Sequence, residues 1–365
     1  MIVKRIYSLF LIIFIAVSTA FAQDTLENRI RSILSPALDD DGPGFSVSIL
    51  KDGEVMVEKT FGYANLDERE LVTTDTKFNL GTLSGQFTAM GIMILKDDGK
   101  LQYKDKVSQY IEGLPEYAMG ITIKHLLEDS TGFPYLDIRA QDLKYNTPEK
   151  VVDFLNTKDK LMFSTGKKAM VNPVNTALQV LILEKVSGTD YRSFITDRIF
   201  TPMNMDQSEV FKGGLFYKVK DKALGYQNVG QQGNSEYEKV DKQLEKEYMK
   251  GVTGIYCSTK DMQTWFRAWN SDTIIQSGTL SGAMRLNFIR GAKEFYGYGW
   301  RKAFNRGQKY LYQGGIGYGN THVLLMIPQE KIQVMILANQ RSVFGLRKRA
   351  FELVNLVSKT KFKIE

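Results

Sequence analysis

The chain has 365 residues, with 43% hydrophobic and 24% charged side chains. This balance excludes a disordered, collagen-like or coiled-coil protein and indicates a globular unit with a sizeable core. The single cysteine excludes a disulfide framework, and the two histidines exclude a histidine-rich metal site. The formal net charge of +7 is scattered apart from the lysine cluster Lys359–Lys363, so we expect no nucleic-acid partner. No motif predicts a metal or a cofactor.

Residues 1–22 have the pattern of a secretory signal peptide. Lys4 and Arg5 form a basic start, residues 6–17 are mostly apolar, and Ala20-Phe21-Ala22 fits a small-x-small cleavage site. The apolar stretch is shorter than the roughly 20 residues that a transmembrane helix needs, which makes an uncleaved anchor the less favoured alternative. We therefore predict export to the periplasm or the exterior, cleavage after Ala22, and no stable transmembrane anchor afterwards.

The predicted elements begin with a helix over Leu26–Leu34, whose apolar residues share one side. Two alternating segments, Phe45–Leu50 and Val55–Phe61, flank a glycine-containing turn and predict a β-hairpin. An almost wholly apolar helix is expected over Gln86–Leu95, and a helix of that composition is buried. The following region, to about residue 270, is predicted to be mainly helical with long loops.

The C-terminal end of the chain is predicted to return to β-structure. Lys309–Gln313, Thr321–Met326 and Ile332–Leu337 have strand-like patterns, and Phe344–Val357 closes the chain as a helix. We therefore expect an α+β fold in one domain over residues 23–365. Its centre is a five-stranded antiparallel sheet from about residues 44–62 and 309–338, flanked by helices, with a mainly helical insertion over about 86–280.

Several sequence blocks, in their order and spacing, carry a resemblance to a known family. They are Gly44–Gly53, Phe78–Ala89, Ile121–Leu127 followed by Thr131-Gly132-Phe133, Leu183–Gly188, Gly254–Met262 and Tyr296–Trp300. Together they resemble the serine β-lactamases and their relatives among penicillin-binding DD-peptidases and esterases, over about residues 44–339. The resemblance implies the α+β fold expected above, with a cleft between the sheet and the helical part.

The resemblance implies a catalytic Ser-x-x-Lys element at the start of the buried helix, and its two positions hold Thr82 and Gly85. In the family, the lysine ammonium lies one helical turn from the hydroxyl and helps to remove its proton. Thr82, at the nucleophile position, keeps a hydroxyl group, whereas Gly85 brings no base. An alternative role for Thr82 is to cap the N-terminus of the helix, for which threonine is well suited.

The other two family elements are also changed. Where the family has Tyr-x-Asn, this chain has Val171-Asn172-Pro173, and where it has Lys or His before x-Gly, the chain has Gln313-Gly314-Gly315. Asn172 or Asn175 could replace the missing amide only if the local backbone shifts. Glutamine still donates hydrogen bonds but carries no charge. The candidate ligand-binding residues are Asn172, Gln313, Gly314 and Gly315.

Other residues have simpler interpretations. Ser-x-x-Lys recurs at Ser48, Ser164 and Ser358, but none of these serines opens a predicted buried helix. Lys167, from the second of these motifs, could swing towards the cleft, although a solvated loop is favoured. The remaining candidates are His125, interpreted as a helix-end or surface residue, His322, as a structural strand residue, and Cys257, as a buried inert thiol.

Two functional hypotheses follow from these residues. The first is an exported, catalytically inactive relative of the β-lactamases and DD-peptidases that binds a cell-wall peptide or glycan, or a protein partner. It rests on the joint loss of the lysine, tyrosine and third-element base, because the members of such a unit are strongly non-additive. The second is an active esterase, peptidase or acyl transferase that uses Thr82 with a rearranged base. A purely structural role is the third alternative.

Overall fold

The structure is a computed structural model that describes residues 26–138, 145–212, 218–230, 235–240, 249–285 and 295–364. The predicted signal peptide therefore lies outside the described residues, and the assignment of one domain to residues 23–365 stays a prediction. The first described element is the predicted N-terminal helix, α1, over residues 26–34.

The predicted N-terminal hairpin is present as β1 (Phe45–Lys51) and β2 (Glu54–Phe61). Its turn places Asp52 at φ 53° and Gly53 at φ 86°. Short hairpin turns favour this conformation, and glycine adopts it without a steric penalty. β1 pairs on its other side with the last strand of the chain, so the N-terminal hairpin joins a sheet that the C-terminal part builds.

The region after the hairpin contains most of the helices and several strands of two or three residues. The apolar helix predicted there is α2 (Gly85–Asp97). The other helices are α3 (Ile123–Leu127), α4 (Pro148–Asn156), α5 (Pro173–Ser187), α6 (Tyr191–Ile195), α7 (Thr259–Ala268) and α8 (Ser277–Met284). The short strands are β3 (Tyr63–Asn65), β4 (Glu70–Leu71), β5 (Phe78–Asn79), β6 (Glu209–Val210), β7 (Tyr226–Asn228), β8 (Tyr237–Lys239) and β9 (Ile255–Cys257).

Single turns of 3₁₀- or π-helix connect these elements, at Ser35–Ala37, Gly81–Ser84, Val107–Gln109, Glu116–Ala118, Thr196–Phe200 and Pro328–Glu330. The last helix, α9 (Leu346–Val357), begins two residues later than predicted. None of the helices within the described residues is both long enough and apolar enough to cross a membrane.

Among the described residues, the main sheet has seven antiparallel strands, so the expectation of five was wrong. Its C-terminal strands are β10 (Phe295–Gly297), β11 (Trp300–Asn305), β12 (Gln308–Gly317), β13 (Asn320–Ile327) and β14 (Ile332–Ala338). The order across the sheet is β10-β11-β12-β13-β14-β1-β2. β12, β13 and β14 are the three predicted strands, and β10 and β11 are the additional ones.

Lys302 explains why the sequence pattern does not predict β11. Its side chain is fully buried, at a position where a pattern of alternating polarity places an apolar residue. The ammonium donates to the carbonyl oxygens of Ala283 at 2.5 Å and Arg285 at 2.8 Å, which compensates its removal from water. Burial nevertheless lowers the pKa of Lys302 to about 8. β10 has only three residues and includes a glycine, so it gives no recognisable pattern.

Side chains of the sheet alternate between two hydrophobic cores. Along β14, Val334 and Ile336 belong to a core that includes residues of α1 and α9, whereas Met335 and Leu337 belong to the core of the helical region. Since both faces are covered, the central strands read as continuous apolar runs. α2 lies within the larger core, and its N-terminal end meets β12 at the border between the sheet and the helices.

Candidate functional site

The segment between β5 and α2 fixes the position of Thr82. The N–H of Leu80 donates to the carbonyl oxygen of Ile255 at 2.9 Å, and the N–H of Ile255 donates to the Ser84 hydroxyl at 3.1 Å. These bonds attach the residues on both sides of Thr82 to β9. The Ser84 hydroxyl therefore has a structural role, and Thr82 is the hydroxyl-bearing residue of this turn that lines the cleft described below.

Two glycines allow this segment to approach β12 closely. Gly81 has φ 53°, and a Cβ on it would lie 2.3 Å from the carbonyl oxygen of Ile316. A Cβ on Gly315 would lie 2.7 Å from the carbonyl oxygen of Leu80. Both contacts are too short for any residue with a side chain. The close approach brings the N–H of Ile316 to the Thr82 hydroxyl oxygen, to which it donates at 3.2 Å.

The alternative prediction that Thr82 caps α2 was wrong. Thr82 lies inside the 3₁₀ turn Gly81–Ser84, and the N-cap residue of α2 is Ser84. Gly85 then opens the helix, at the position where the resemblance implies a lysine. A Cβ at Gly85 would lie 3.7 Å from the side chain of Thr176, which is an ordinary van der Waals distance. Packing therefore does not require glycine at this position. The consequence of the glycine is that the position expected for the family lysine carries no base.

The side chains at the two other family elements occupy different environments. Val171 and Pro173 line the same cleft as Thr82, so an aliphatic side chain and a ring replace the expected phenol and amide. Gln313 is 6% exposed, and its Oε1 has no hydrogen-bond partner among the described residues. Burial alternates only in the last part of β12, where Gln313 and Gly315 are buried and Gly314 and Ile316 are exposed. Of the candidate ligand-binding residues Asn172, Gln313, Gly314 and Gly315, none is among the described residues that line the cleft.

Asn172 is the N-cap of α5 and takes part in a buried polar network. Its Oδ1 accepts from the N–H of Val174 at 3.2 Å, and its Nδ2 donates to the carbonyl oxygens of Phe133 at 3.1 Å and Pro134 at 3.0 Å. These contacts join the start of α5 to the loop after α3. The amide of Asn172 therefore has structural partners. Its role in ligand binding stays a prediction.

Asp129 lies at the centre of the same network. Its Oδ1 accepts from Nδ2 of Asn175 at 2.5 Å and from the N–H of Asn172 at 3.3 Å. Burial raises the pKa of Asp129 to about 7, although these two hydrogen bonds and the nearby charge of Arg301 favour the carboxylate. Asn175, the second candidate for the missing amide, is also buried and accepts from the Thr131 hydroxyl at 2.8 Å.

The cleft beside Thr82 has a volume of about 380 Å³. Its described lining residues are Asn79, Gly81, Thr82, Tyr135, Ile138, Val171, Pro173, Thr253, Arg301, Ile316, Gly317, Tyr318, Arg341 and Ser342. This lining contains two arginines and no carboxylate, lysine or histidine. The Arg301 guanidinium lies 5.8 Å from the ring of Tyr296, and that of Arg341 lies 5.8 Å from the ring of Tyr318. The described lining therefore combines apolar side chains with two positively charged ones.

Lys167 is the alternative base suggested by the sequence. Lys167 is exposed in a loop and is not among the described residues that line the cleft. The three serines of the recurring Ser-x-x-Lys pattern lie in β1, in that loop and just after α9, so none of them opens a buried helix, as expected. Ser48, Ser164 and Ser358 are not among the described residues that line the cleft.

Both histidines and the cysteine have structural contacts. His125 Nδ1 accepts from the N–H of Thr122 at 3.2 Å at the start of α3, which confirms the helix-end interpretation. His322 is buried and contacts the carbonyl oxygen of Asn79 at 2.7 Å, which confirms the structural one. Cys257 is buried, and burial raises the pKa of its thiol well above the usual value. Within the described residues, no group of three or more histidine, cysteine or acidic side chains is placed to hold a metal.

Sequence reasoning missed the two arginines of the cleft. Arg301 is in β11, a strand that the pattern did not predict, and Arg341 lies in the segment between β14 and α9. The position of Arg301 directly after the family block Tyr296–Trp300 is the one feature that could have drawn attention to it.

Comparisons with known proteins give one family match and several similar proteins. The profile of the family described as Beta-lactamase matches residues 30–359. Penicillin-binding protein 4* of Bacillus subtilis (strain 168) is 28% identical over 308 residues, which are 80% of this chain and 67% of that protein. The octameric penicillin-binding protein homologue from Pyrococcus abyssi has a TM-score of 0.78 at 26% identity, covering 93% of this chain and 78% of that chain.

A third similarity supports the fold alone. The D-amino acid amidase from Ochrobactrum anthropi SV3 has a TM-score of 0.76 at 18% identity, covering 92% of this chain and 100% of that chain. The chain therefore has the penicillin-binding and β-lactamase type of fold, with mixed helices and strands around a large antiparallel sheet.

Proposed function

Because the chain belongs to the Beta-lactamase family, we propose that it is an exported, catalytically inactive member that binds an envelope ligand in the cleft beside Thr82. The ligand that we propose is a cell-wall peptide with a free carboxylate. Export is inferred from the predicted signal peptide, and the cell-wall ligand from relatives whose names identify them as penicillin-binding proteins.

The environment of the Thr82 hydroxyl is the observation that carries the proposal. Activation of a hydroxyl nucleophile requires a base within hydrogen-bond reach. The described lining of the cleft contains no carboxylate, lysine or histidine, and the hydroxyl accepts a hydrogen bond from the N–H of Ile316. Gly85 stands where the family lysine is expected, and Val171 where the tyrosine is expected. Loss of one member of such a unit lowers turnover by about 10⁴–10⁶-fold, and here several are lost together.

The shape and charge of the cleft support ligand binding. A volume of about 380 Å³ is within the roughly 300–1,000 Å³ range of small-molecule sites. Arg301 and Arg341 can form charge-assisted hydrogen bonds with a carboxylate, and the described lining has no acidic group that would repel it. Tyr135, Ile138 and Val171 offer apolar contacts to the rest of the ligand. This combination favours a peptide carboxylate over an uncharged glycan.

One observation favours the second candidate, an acyl-transfer enzyme that uses Thr82 with a rearranged base. The N–H of Ile316 lies 3.2 Å from the hydroxyl oxygen. A backbone donor is therefore close to the point of attack, where the carbonyl oxygen of a substrate would become an oxyanion in acyl transfer. The base suggested by the sequence, Lys167, is exposed and outside the described lining, which counts against this candidate.

Covalent labelling separates the two candidates. Wild-type protein and Thr82→Ala are incubated with a fluorophosphonate and with a β-lactam, and their intact masses are measured. We expect no adduct on either protein. An adduct on wild type that Thr82→Ala lacks would overturn the proposal of an inactive protein and identify Thr82 as a nucleophile.

Ligand binding is tested separately, because an inactive protein need not bind anything. The probe is an N-acetylated peptide that ends in D-alanyl-D-alanine, and the control is the same peptide with a C-terminal amide. We expect the carboxylate to bind and the amide to bind at least about tenfold more weakly, since hydrogen bonds to charged groups contribute about 1.5–3 kcal/mol. Arg341→Gln is expected to reduce that difference, and Arg301 would retain part of it. Equal binding of both peptides to wild type would refute the proposed carboxylate site.

A further inference from the structure

A second groove lies on the side of the sheet that α9 covers. It is formed by the β11–β12 turn, by α9 and by the C-terminal segment, with a volume of about 120 Å³. Its lining residues are Phe304, Asn305, Arg306, Tyr310, Arg347, Phe351 and Lys363. It shares none of them with the cleft beside Thr82. The lysine cluster Lys359–Lys363, which the proposed function does not use, contributes to this groove.

The C-terminal segment is held in place by two reciprocal pairs of hydrogen bonds. Asn355 on α9 accepts from the N–H of Phe362 at 2.7 Å and donates to its carbonyl oxygen at 3.0 Å. Asn305 in β11 accepts from the N–H of Lys363 at 2.9 Å and donates to its carbonyl oxygen at 2.8 Å. Phe362 is buried beside Phe351, with ring centroids 5.9 Å apart. Lys363 is therefore fixed at the rim of the groove by its backbone.

Three cationic side chains line the groove, and no carboxylate is among its described lining residues. Arg306 is exposed in the β11–β12 turn. Arg347 is positioned by Tyr312, whose hydroxyl accepts from Nη1 at 2.9 Å and whose ring lies 5.0 Å from the guanidinium. With Lys363, these groups surround a space of the size of a phosphate group rather than of a peptide. Phosphate recognition by arginine is favoured because its donors can bind two oxygens at once.

Two exposed apolar side chains lie beside these charges. Phe304, which lines the groove, is 54% exposed, and Ile364, which follows Lys363, is 41% exposed. Basic groups that flank exposed aromatic and aliphatic side chains are typical of surfaces that lie in the headgroup region of an anionic membrane. A free phosphate would not contact Phe304 and Ile364. These two side chains therefore favour a phosphate that belongs to a lipid headgroup.

We propose that this groove binds the phosphate of an anionic lipid headgroup, with Phe304 and Ile364 entering the membrane interface. Arg306, Arg347 and Lys363 surround the phosphate, and the two apolar side chains contact the acyl boundary. Binding of this kind would hold the chain on a membrane surface without using any described residue that lines the cleft beside Thr82. It does not depend on the function proposed for the cleft.

The test is cosedimentation with vesicles of phosphatidylcholine alone and of phosphatidylcholine mixed with phosphatidylglycerol. The protein and its variants are purified identically after export, and intact mass reports whether residues 1–22 remain. We expect wild type to sediment with the anionic vesicles and not with the neutral ones. Arg306→Glu with Lys363→Glu is expected to weaken partitioning by at least about tenfold, from the effect of basic residues near anionic lipid. Phe304→Ser is expected to weaken it less.

The matched control is Lys100→Glu with Lys104→Glu, which changes the net charge equally at two exposed positions outside the groove. It is expected to change partitioning by no more than about twofold, and melting temperatures report whether each variant folds. Equal losses of partitioning in the two double variants would show that overall charge, and not the groove, causes the effect, and would overturn the proposal. Binding of inorganic phosphate to the groove by NMR, without vesicle binding, would overturn the lipid source and leave a soluble phosphate site.

Discussion

The backbone behind the cleft and the side chains that face it differ in how far they follow the family pattern. Behind the cleft, Gly81 and Gly315 permit the approach of the Thr82 segment to β12, and His322 attaches that segment to the sheet. Gly85 stands where the resemblance implies a lysine, and Val171, which lines the cleft, stands where it implies a tyrosine. The frame that positions a nucleophile is present, whereas the groups that would activate it are absent from the described lining.

This difference shows that the position of a hydroxyl and its reactivity depend on separate sets of residues. The position of Thr82 follows from backbone hydrogen bonds and from glycine contacts that a side chain would block. Its reactivity would follow from a titratable group within reach, and Gly85 is not required by packing. A chain can therefore lose the second set and still fold around a well-formed cleft.

Restoring the activating groups is expected to have the largest effect. The variant combines Thr82→Ser, Gly85→Lys and Val171→Tyr, and we expect its labelling by a fluorophosphonate to be at least about 10³-fold faster than that of wild type. The Cβ at position 85 has room, since its nearest neighbour would be 3.7 Å away. The measurement is the rate of adduct formation by intact mass.

The control for this variant keeps the sizes but omits the base. It combines Thr82→Ser, Gly85→Met and Val171→Phe, and it is expected to label no faster than wild type. Equal labelling of both variants would show that the serine alone suffices. If the wild type were labelled as fast as the restored variant, the activating groups would not be needed for the reactivity of Thr82.

The pH dependence of stability is the second prediction, and it concerns His322 behind the cleft. The N–H of Ala338 donates to His322 Nδ1 at 3.2 Å, so Nε2 carries the proton that is donated to the carbonyl oxygen of Asn79 at 2.7 Å. This arrangement needs a neutral ring, and burial lowers the pKa of His322 to about 4 from 6.5. The unfolded chain takes up the proton first as the pH falls, so stability is lost between about pH 6.5 and pH 4.

The expected loss between the two pH values below is about 2–3 kcal/mol, from roughly 1.4 kcal/mol for each unit of pKa shift. It is measured as the free energy of unfolding in urea at about pH 7.5 and about pH 4.5, for wild type and for His322→Asn. Asp129 acts in the opposite direction, because its raised pKa favours the folded state at low pH, but it is present in both proteins. The wild type should therefore lose more stability than the variant. Equal losses would show that His322 is not the group responsible.

The fold was largely predictable from the sequence, because its signals are local or depend on the order of blocks. The N-terminal hairpin, α2 and the strands β12, β13 and β14 follow from hydrophobic periodicity and turn residues. β11 was not predictable, because Lys302 occupies a buried position and finds its carbonyl partners near the end of α8. A periodic pattern carries no information on such tertiary partners.

The candidate site was predictable only in part, for the same physical reason. Thr82, Val171 and Pro173 meet in one cleft, as the resemblance implied. The prediction that Thr82 caps α2 was wrong because the chain makes a 3₁₀ turn before the helix. The position of such a helix boundary depends here on the contact with β12, which the sequence pattern does not show. Arg301 and Arg341 reach the cleft from β11 and from the segment after β14, so only the assembled sheet brings them together.

The smallest expected effect tests the frame itself, through two adjacent glycines of β12. A Cβ on Gly315 would lie 2.7 Å from both the carbonyl oxygen of Leu80 and the Cγ of Leu83, whereas one on Gly314 would meet nothing closer than 3.8 Å. Gly315→Ala is therefore expected to lower the free energy of unfolding by about 1–3 kcal/mol, as overpacking does. Gly314→Ala should change it by no more than about 0.5 kcal/mol, as at other exposed positions.

Urea unfolding of the two variants and wild type provides the measurement, and each glycine serves as the control for the other. Both substitutions remove the same conformational freedom from the unfolded chain, so this contribution cancels in the comparison. A difference between the variants then reports the contact between β12 and the segment that carries Thr82. If the two variants were equally stable, the close approach would not constrain the backbone. The position of the hydroxyl would then depend on the attachment of its segment to β9 and His322 alone.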